Sequence, residues 1–229
     1  SISQPIYPAT CKTMDQANRI LMTCIFEFGM SAFPEFALLS AHEKWMIGTK
    51  FFFSFRILDQ AYRARKRLAD TPNRHFAGYT LYIAEDIIDH FFDGFDCEKG
   101  HLDEARKVMI DVCRTRPRRG RSALDKIPFD EREFHSLLTL LFWATNGLEV
   151  GDEITSISDS YYQKISSELS EYYRDVVHLD DYAQRLGEVC SAVPQFENHQ
   201  KIRETFEMLR LLGILSDDTF TYKLTKPHE

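Results

Sequence analysis

The chain has 229 residues, 44% of them hydrophobic, with 18 Phe, 10 Tyr, ten Gly and eight Pro, which fits one large domain with a sizeable core and excludes a disordered, collagenous or low-complexity chain. A net charge of -7 gives no global attraction to phosphate backbones, so a nucleic-acid role would need a local patch. Five cysteines, at 11, 24, 97, 113 and 190, are odd in number and widely spaced; they form neither a disulfide framework nor a paired zinc-ligand motif and point to a reducing setting.

The longest apolar runs, such as Trp45 to Ile47 and Phe51 to Phe53, fall far short of a membrane span, and no signal peptide opens the sequence. Met14, Ala17, Leu21, Cys24, Ile25 and Phe28 recur at three- and four-residue steps and predict a first helix over 10–32. Pro34 interrupts. Ser40 with Glu43 three residues on reads as a capping box opening a second long helix through 68. Its middle, KFFFSFRIL, is apolar nearly all round, the mark of a helix buried between others, which implies three layers.

The helical period fails over 71–86, and alternation around 79–83 predicts a small hairpin or extended turn. Short helices follow at 85–92 and 102–113, then an arginine-rich loop over 114–121 that Pro117 and Gly120 keep from continuing the helix. Asp130, Glu133 and the pair Phe129 and Phe134 supply a capping box and a hydrophobic staple for a helix to 146. Gly147 and Gly151 bracket the next break. Helices are then expected over 152–176, from 180 until Pro194 kinks or ends it, and over 197–212. Gly213 is the expected C-cap, and Ser216 the expected N-cap of a last short helix through 224.

Chemistry-bearing motifs are sparse. No GxSxG, P-loop or GxGxxG occurs, and His75, His90, His101 and His135 lack metal-ligand spacing. Glu85, Asp86 and Asp89 spell an EDxxD similar to the magnesium-binding motif of all-α isoprenoid synthases, but acidic pairs at that spacing are common on solvated helix faces and no second metal motif appears. RTRPRRGR, 114–121, reads either as a solvated loop or as a nuclear-import or phosphate-binding patch.

Four segments carry a resemblance. FPEFALLSAHEKWMIGTKFFFSFRILDQAYR, 33–63, resembles the signature region of nuclear receptor ligand-binding domains, with Pro34, Phe36, Leu39, Glu43, Lys44 and Ile47 at the fixed positions. FDEREFHSLLTLLFW, 129–143, is similar to the family's helix 8, DDYAQRLGEV, 180–189, to the start of helix 10, and LLGILSDDTFTYKL, 211–224, to the run into the terminal activation helix, especially in the nematode group related to hepatocyte nuclear factor receptors. The resemblance implies an all-α, three-layer antiparallel helical sandwich with a minor β-turn element over 1–229. Helix 1 and the zinc module that binds DNA are not matched.

What the resemblance implies about function is a non-enzymatic, nuclear regulatory domain that binds a small lipophilic, lipid- or fatty-acid-like ligand and recruits a coregulator peptide through its last helix. DNA is reached only through the zinc module. Ligand-lining positions fall at Asn18, Met22, Phe26, Phe52, Phe53, Arg56, Met109, Thr205, Phe206 and Leu209, residues that fill a core equally well. Arg63 stands where relatives place an arginine for a ligand carboxylate, or serves the helix end as a cation. The coregulator groove falls at Ser31, Lys44, Ile47, Phe220 and Lys223, and departs from the family's charge clamp: Ser31 replaces a lysine and Lys223 an acid. Dimer contacts fall at Tyr182, Arg185, Leu186 and Val189; Ser54, in place of a glutamate of heterodimer-formers, favours a homodimer over a receptor heterodimer. The alternative is a ligand-independent orphan domain acting as a dimerisation or coregulator scaffold.

Overall fold

A computed structural model describes residues 4–71, 73–95, 99–126, 128–197 and 200–226. Helix α1 (Cys11–Ala32) starts where Thr10 and Thr13 cap each other: the Thr13 N–H donates to Thr10 Oγ1 (3.1 Å) and the Thr10 N–H to Thr13 Oγ1 (2.8 Å). Its buried stripe is Cys11, Met14, Asn18, Met22, Ile25 and Gly29, so the expected stripe is corrected at Cys24, which is exposed. Pro34 opens a short helix, α2 (Pro34–Leu38), because the amide it lacks has no partner in a first turn.

Helix α3 (Ala41–Arg67) begins at the expected capping box, with the Ser40 N–H donating to Glu43 Oε2 (2.9 Å) and the Glu43 N–H to Ser40 Oγ (3.3 Å). Ile47, Phe51, Phe52, Phe53 and Leu58 are all buried, as an all-round apolar helix requires. The expected hairpin is present as β2 (Arg74–Phe76) against β3 (Leu81–Ala84). A strand the sequence did not reveal, β1 (Tyr7–Pro8), lies parallel to β3 with Tyr7 opposite Leu81, giving the order β1-β3-β2 and leaving Pro8 on an edge where its missing N–H is tolerated.

A 3-10 turn (Glu85–Ile87) leads into α4 (Ile88–Phe91). Helix α5 (Lys99–Lys126) corrects the expected arginine-rich loop, since its backbone stays helical through Pro117 and Gly120. Proline fixes φ at a helical value and forfeits one hydrogen bond, a cost that a helix anchored by buried Ala105, Met109, Val112 and Cys113 absorbs. A like correction applies at Pro194, which does not end α8 (Tyr182–Glu197), whose Val189, Ala192 and Phe196 are buried on both sides of it. The side chains of residues 116–121, with most of the arginine patch, lie outside the described residues.

Helix α6 (Glu131–Phe142) has the full expected capping box from Asp130 and Glu133. Helix α7 (Asp152–Glu171) runs into a π-helical turn (Tyr172–Val176), together filling the expected 152–176. Helix α9 (Gln200–Leu211) stops at Gly213, whose φ of +74° lets the Ile214 and Leu215 N–H groups donate back to Leu209 O (2.9 and 3.2 Å). The last helix, α10 (Phe220–Lys223), has Thr219 as N-cap rather than the expected Ser216. The Thr219 hydroxyl instead accepts the Ser216 N–H (3.0 Å), closing a turn before the helix.

The chain divides into two compact units, one of Ser1–Cys24, Leu58–Arg121 and His199–Glu229, the other of Ile25–Ile57 and Ser122–Asn198. The first holds the sheet, with Ala64, Leu68 and Phe76 packed together and Ile6 against them. The second is built on aromatic rings: Phe33 lies 4.7 Å from Phe142 and 5.6 Å from Trp143, Phe36 lies 5.0 Å from Phe142, and Trp143 stacks on Tyr161 at 5.2 Å. Gly29 lets these rings close on α1, because a Cβ there would stand 2.6 Å from the Phe36 ring and 2.8 Å from Phe142. Gly29→Ala is therefore expected to lower stability by about 1–3 kcal/mol through overpacking, even though alanine gains about 1 kcal/mol in helix propensity. A higher urea midpoint for the variant would show that the rings yield.

Candidate functional site

The end of the chain is fastened to α1 and α9 by polar contacts around wholly buried atoms. Thr221 and Leu224 have no exposed surface. The Thr221 N–H donates to Asp15 Oδ1 at 2.7 Å, and Asn18 Nδ2 donates to Thr221 Oγ1 at 2.8 Å. The Arg19 guanidinium lies 5.2 Å above the Phe220 ring, and Arg210 of α9 lies 5.2 Å above Tyr222. Burial and the neighbouring Glu207 carboxylate push the Tyr222 phenol up, and Arg210 holds that carboxylate at 2.9 Å. Outside this ring Lys223 faces Asp218 at 3.7 Å and Arg210 faces Asp217 at 3.6 Å, both exposed.

Among the residues expected to line a ligand pocket, Asn18, Met22, Met109, Thr205, Phe206 and Leu209 are buried in the first unit, and Phe52, Phe53 and Arg56 in the second, where Phe26 is half-buried. Asn18 is brought to Thr221, as above. Thr205 donates to Lys201 O on its own helix (2.7 Å). Phe52 meets Phe53 edge-on at 5.3 Å and lies 5.7 Å beneath the Arg56 guanidinium. Arg63 is enclosed by its own chain: it reaches Asp59 through Nε (2.8 Å) and Nη2 (2.5 Å), donates to Tyr79 O (2.6 Å), and sits 4.1 Å from the Phe76 ring and 4.9 Å from Tyr79. An aspartate four residues before an arginine on a helix was a legible sign of that pairing.

At the expected coregulator positions of the second unit, Ser31 is exposed and donates to Phe28 O (3.1 Å), Lys44 Nζ donates to Ala37 O (2.8 Å), and Ile47 is buried. In the first unit Phe220 is half-buried and Lys223 exposed. At the expected dimer positions Tyr182, Arg185 and Leu186 are half-buried and Val189 is fully buried.

Two networks in the second unit went unseen in the sequence. Glu133, only 3% exposed at its side chain, accepts from Arg185 Nε (2.7 Å) and Nη2 (2.8 Å) and from Tyr173 Oη (2.7 Å). The carboxylate draws the Arg185 guanidinium's proton affinity up, while burial, ahead of Glu133 itself, does the same for the Tyr173 phenol. Lys50, 8% exposed, donates to Ala144 O (2.9 Å) and Asn146 O (2.5 Å) and forms an ion pair with Glu197 Oε1 at 2.7 Å; burial pushes it below the usual lysine range against the pull of Glu197.

The acidic motif has ordinary partners: Glu85 pairs with Arg114 (Nε to Oε2, 3.0 Å) and Asp89 with Arg106 (2.5 Å). Among the described residues no group of three or more His, Cys, Asp or Glu is placed to hold a metal, and no helix is long and apolar enough to cross a membrane. An open concavity of about 400 Å³ on α7, lined by Asp152, Thr155, Asp159 and Gln163, is polar and unlike an apolar ligand site.

Comparison with known proteins gives three findings in one direction. The family profile for the ligand-binding domain of nuclear hormone receptor matches residues 4–212. "Nuclear hormone receptor family member nhr-12" of Caenorhabditis elegans is 24% identical over 190 residues, covering 80% of this chain and 40% of the relative, so the chain spans well under half of that protein. The solved "Ultraspiracle ligand binding domain from Drosophila melanogaster" superposes with a TM-score of 0.61 at 14% identity, covering 93% of this chain and 80% of the other, which shows a shared helical-sandwich fold.

Proposed function

Because the chain belongs to the family of nuclear hormone receptor ligand-binding domains, we propose that it binds a small lipophilic ligand and governs coregulator recruitment through α10. The domain class is regulatory rather than catalytic, which sets aside the magnesium reading of Glu85, Asp86 and Asp89. The observation that carries the proposal is the seating of α10: a four-residue helix whose Thr221 and flanking Leu224 are fully buried. A switch needs a small element with two states, and a helix this short is held by its contacts rather than by itself. In the wider protein we propose a nuclear transcription factor that dimerises through α8 and meets DNA through a segment outside this chain.

The reading departs from the family's charge clamp: at the proposed positions Ser31 gives its hydroxyl to Phe28 O and Lys223 faces Asp218. Peptide recognition is therefore expected to rest on apolar contacts more than on charge. A second reading, a scaffold that needs no ligand, draws support from Arg63, whose guanidinium already has a carboxylate in Asp59. An acidic ligand would have to displace that partner.

Native mass spectrometry of the purified domain, followed by denaturing extraction, separates the two. A stoichiometric lipid-sized adduct is expected. Its loss in Arg63→Ala would mark a carboxylate ligand. A bare mass, with no thermal shift from fatty acids or sterols, sinks the ligand-binding reading in favour of the scaffold.

A further inference from the structure

The last helix lacks a cap of its own. Its N-cap residue, Thr219, turns its hydroxyl back to the Ser216 N–H (3.0 Å), and no side chain within the helix takes the first-turn amides. The amide at the second helical position, Thr221 N–H, goes instead to Asp15 Oδ1 on α1 at 2.7 Å. A carboxylate at a helix start answers both the orphan amide and the positive end of the helix. Asp15 is held for the task, because its other oxygen, Oδ2, is bound by Arg19 Nε one turn on (3.2 Å), and the same Arg19 covers the Phe220 ring. One turn from Asp15, Asn18 is 1% exposed and donates to the Thr221 hydroxyl (2.8 Å), so both polar groups of Thr221 end on α1. Without Asn18 the buried Thr221 hydroxyl would lose this bond, so the burial of Thr221 depends on Asn18.

We propose that Asp15 and Asn18 form a clasp on α1 that folds and docks α10 from within the chain, so that the last helix closes with no ligand bound. Isolated segments of this length do not form helices, so α10 is helical when clasped and unwound when released. Asn18 thereby serves the clasp before any ligand: a bound molecule that hydrogen-bonds Asn18 competes with Thr221 and opens the helix. The clasp's bearing on transcription rests on the reading of α10 given above; the clasp itself does not.

The test is amide hydrogen exchange on the whole domain after extraction of copurifying small molecules, following residues 220–224 with α6 as internal control. In the unsubstituted protein these amides are expected to be protected. Asp15→Ala is expected to raise their exchange about tenfold with α6 unchanged, and Asp15→Asn, which keeps an acceptor oxygen, to stay within about threefold. Thr221→Val, which removes only the hydroxyl bond to Asn18, serves if Asp15→Ala fails to fold and is expected to raise exchange about fivefold. Exchange at the rate of an unstructured chain in the extracted, unsubstituted protein overturns the clasp. So does protection of 220–224 that none of these substitutions changes. Binding of a labelled leucine-rich amphipathic peptide is measured on the same samples: affinity that ignores a loss of protection refutes the regulatory reading of α10 while leaving the clasp standing.

Discussion

Arg185→Ala is expected to lower the stability of the domain by about 3 kcal/mol, a fall in melting temperature of roughly 6–12 °C for a chain of this size. Glu133 is 2% exposed and its carboxylate meets the guanidinium through two donors, Nε at 2.7 Å and Nη2 at 2.8 Å. Removing the arginine leaves that charge buried with two hydrogen bonds, from Tyr173 Oη (2.7 Å) and the Asp130 N–H (2.9 Å), which is why the loss falls at the lower end for a broken buried pair. The guanidinium also donates to Pro128 O (2.9 Å) and so ties α8 to the segment that enters α6. Arg185→Lys cannot reproduce the two parallel bonds and is expected to recover less than half of the loss. Thermal unfolding of the three proteins decides this. If Arg185→Ala unfolds within 2 °C of the parent, the pair contributes nothing net.

How much of this was legible in the sequence depends on how far apart the partners lie. Ser40 with Glu43 and Asp130 with Glu133 are three residues apart, and both capping boxes formed as read. Gly213 is likewise local, since a positive φ just past a helix is what glycine supplies. The prolines misled for a physical reason: Pro117 and Pro194 carry a real local penalty, but helix packing outweighs one lost hydrogen bond. Strand β1 is two residues long and pairs with residues 81 and 82, so no alternation announced it.

The functional residues divide the same way. Asn18 was expected to line a ligand pocket, yet its partner Thr221 is 203 positions away and no pattern links the two. Asp15 carries no signal in the sequence, and only the fold brings it to the start of the last helix. Arg63 is the reverse case: its partner Asp59 sits four residues earlier, at the spacing that pairs charges along a helix.

Lys50 shows what a patterned reading overlooks, because a lysine within KFFFSFRIL looks like an interruption of an apolar helix and proves to be its most demanding contact. Its ammonium donates to two main-chain carbonyls beyond the end of α6 and pairs in charge with the Glu197 carboxylate at the end of α8. Lys50→Met fills the space but strands the carboxylate, 11% exposed at its side chain, together with the two carbonyls. A loss of about 3 kcal/mol or more is expected. Glu197→Gln keeps an acceptor for the ammonium and both carbonyl bonds, so its cost is expected to be about 1 kcal/mol. Lys50→Met with Glu197→Met removes both charges and is expected to recover part of the loss, the carbonyls of Ala144 and Asn146 accounting for the remainder. Chemical denaturation of the set tests the order. Equal costs for Lys50→Met and Glu197→Gln would assign the energy to the ion pair alone. The loss that remains in the double variant, where neither charge is present, assigns that share to the carbonyls, which makes Lys50 the group that fixes the segment after α6 against the end of α8, the helix proposed to carry the dimer surface.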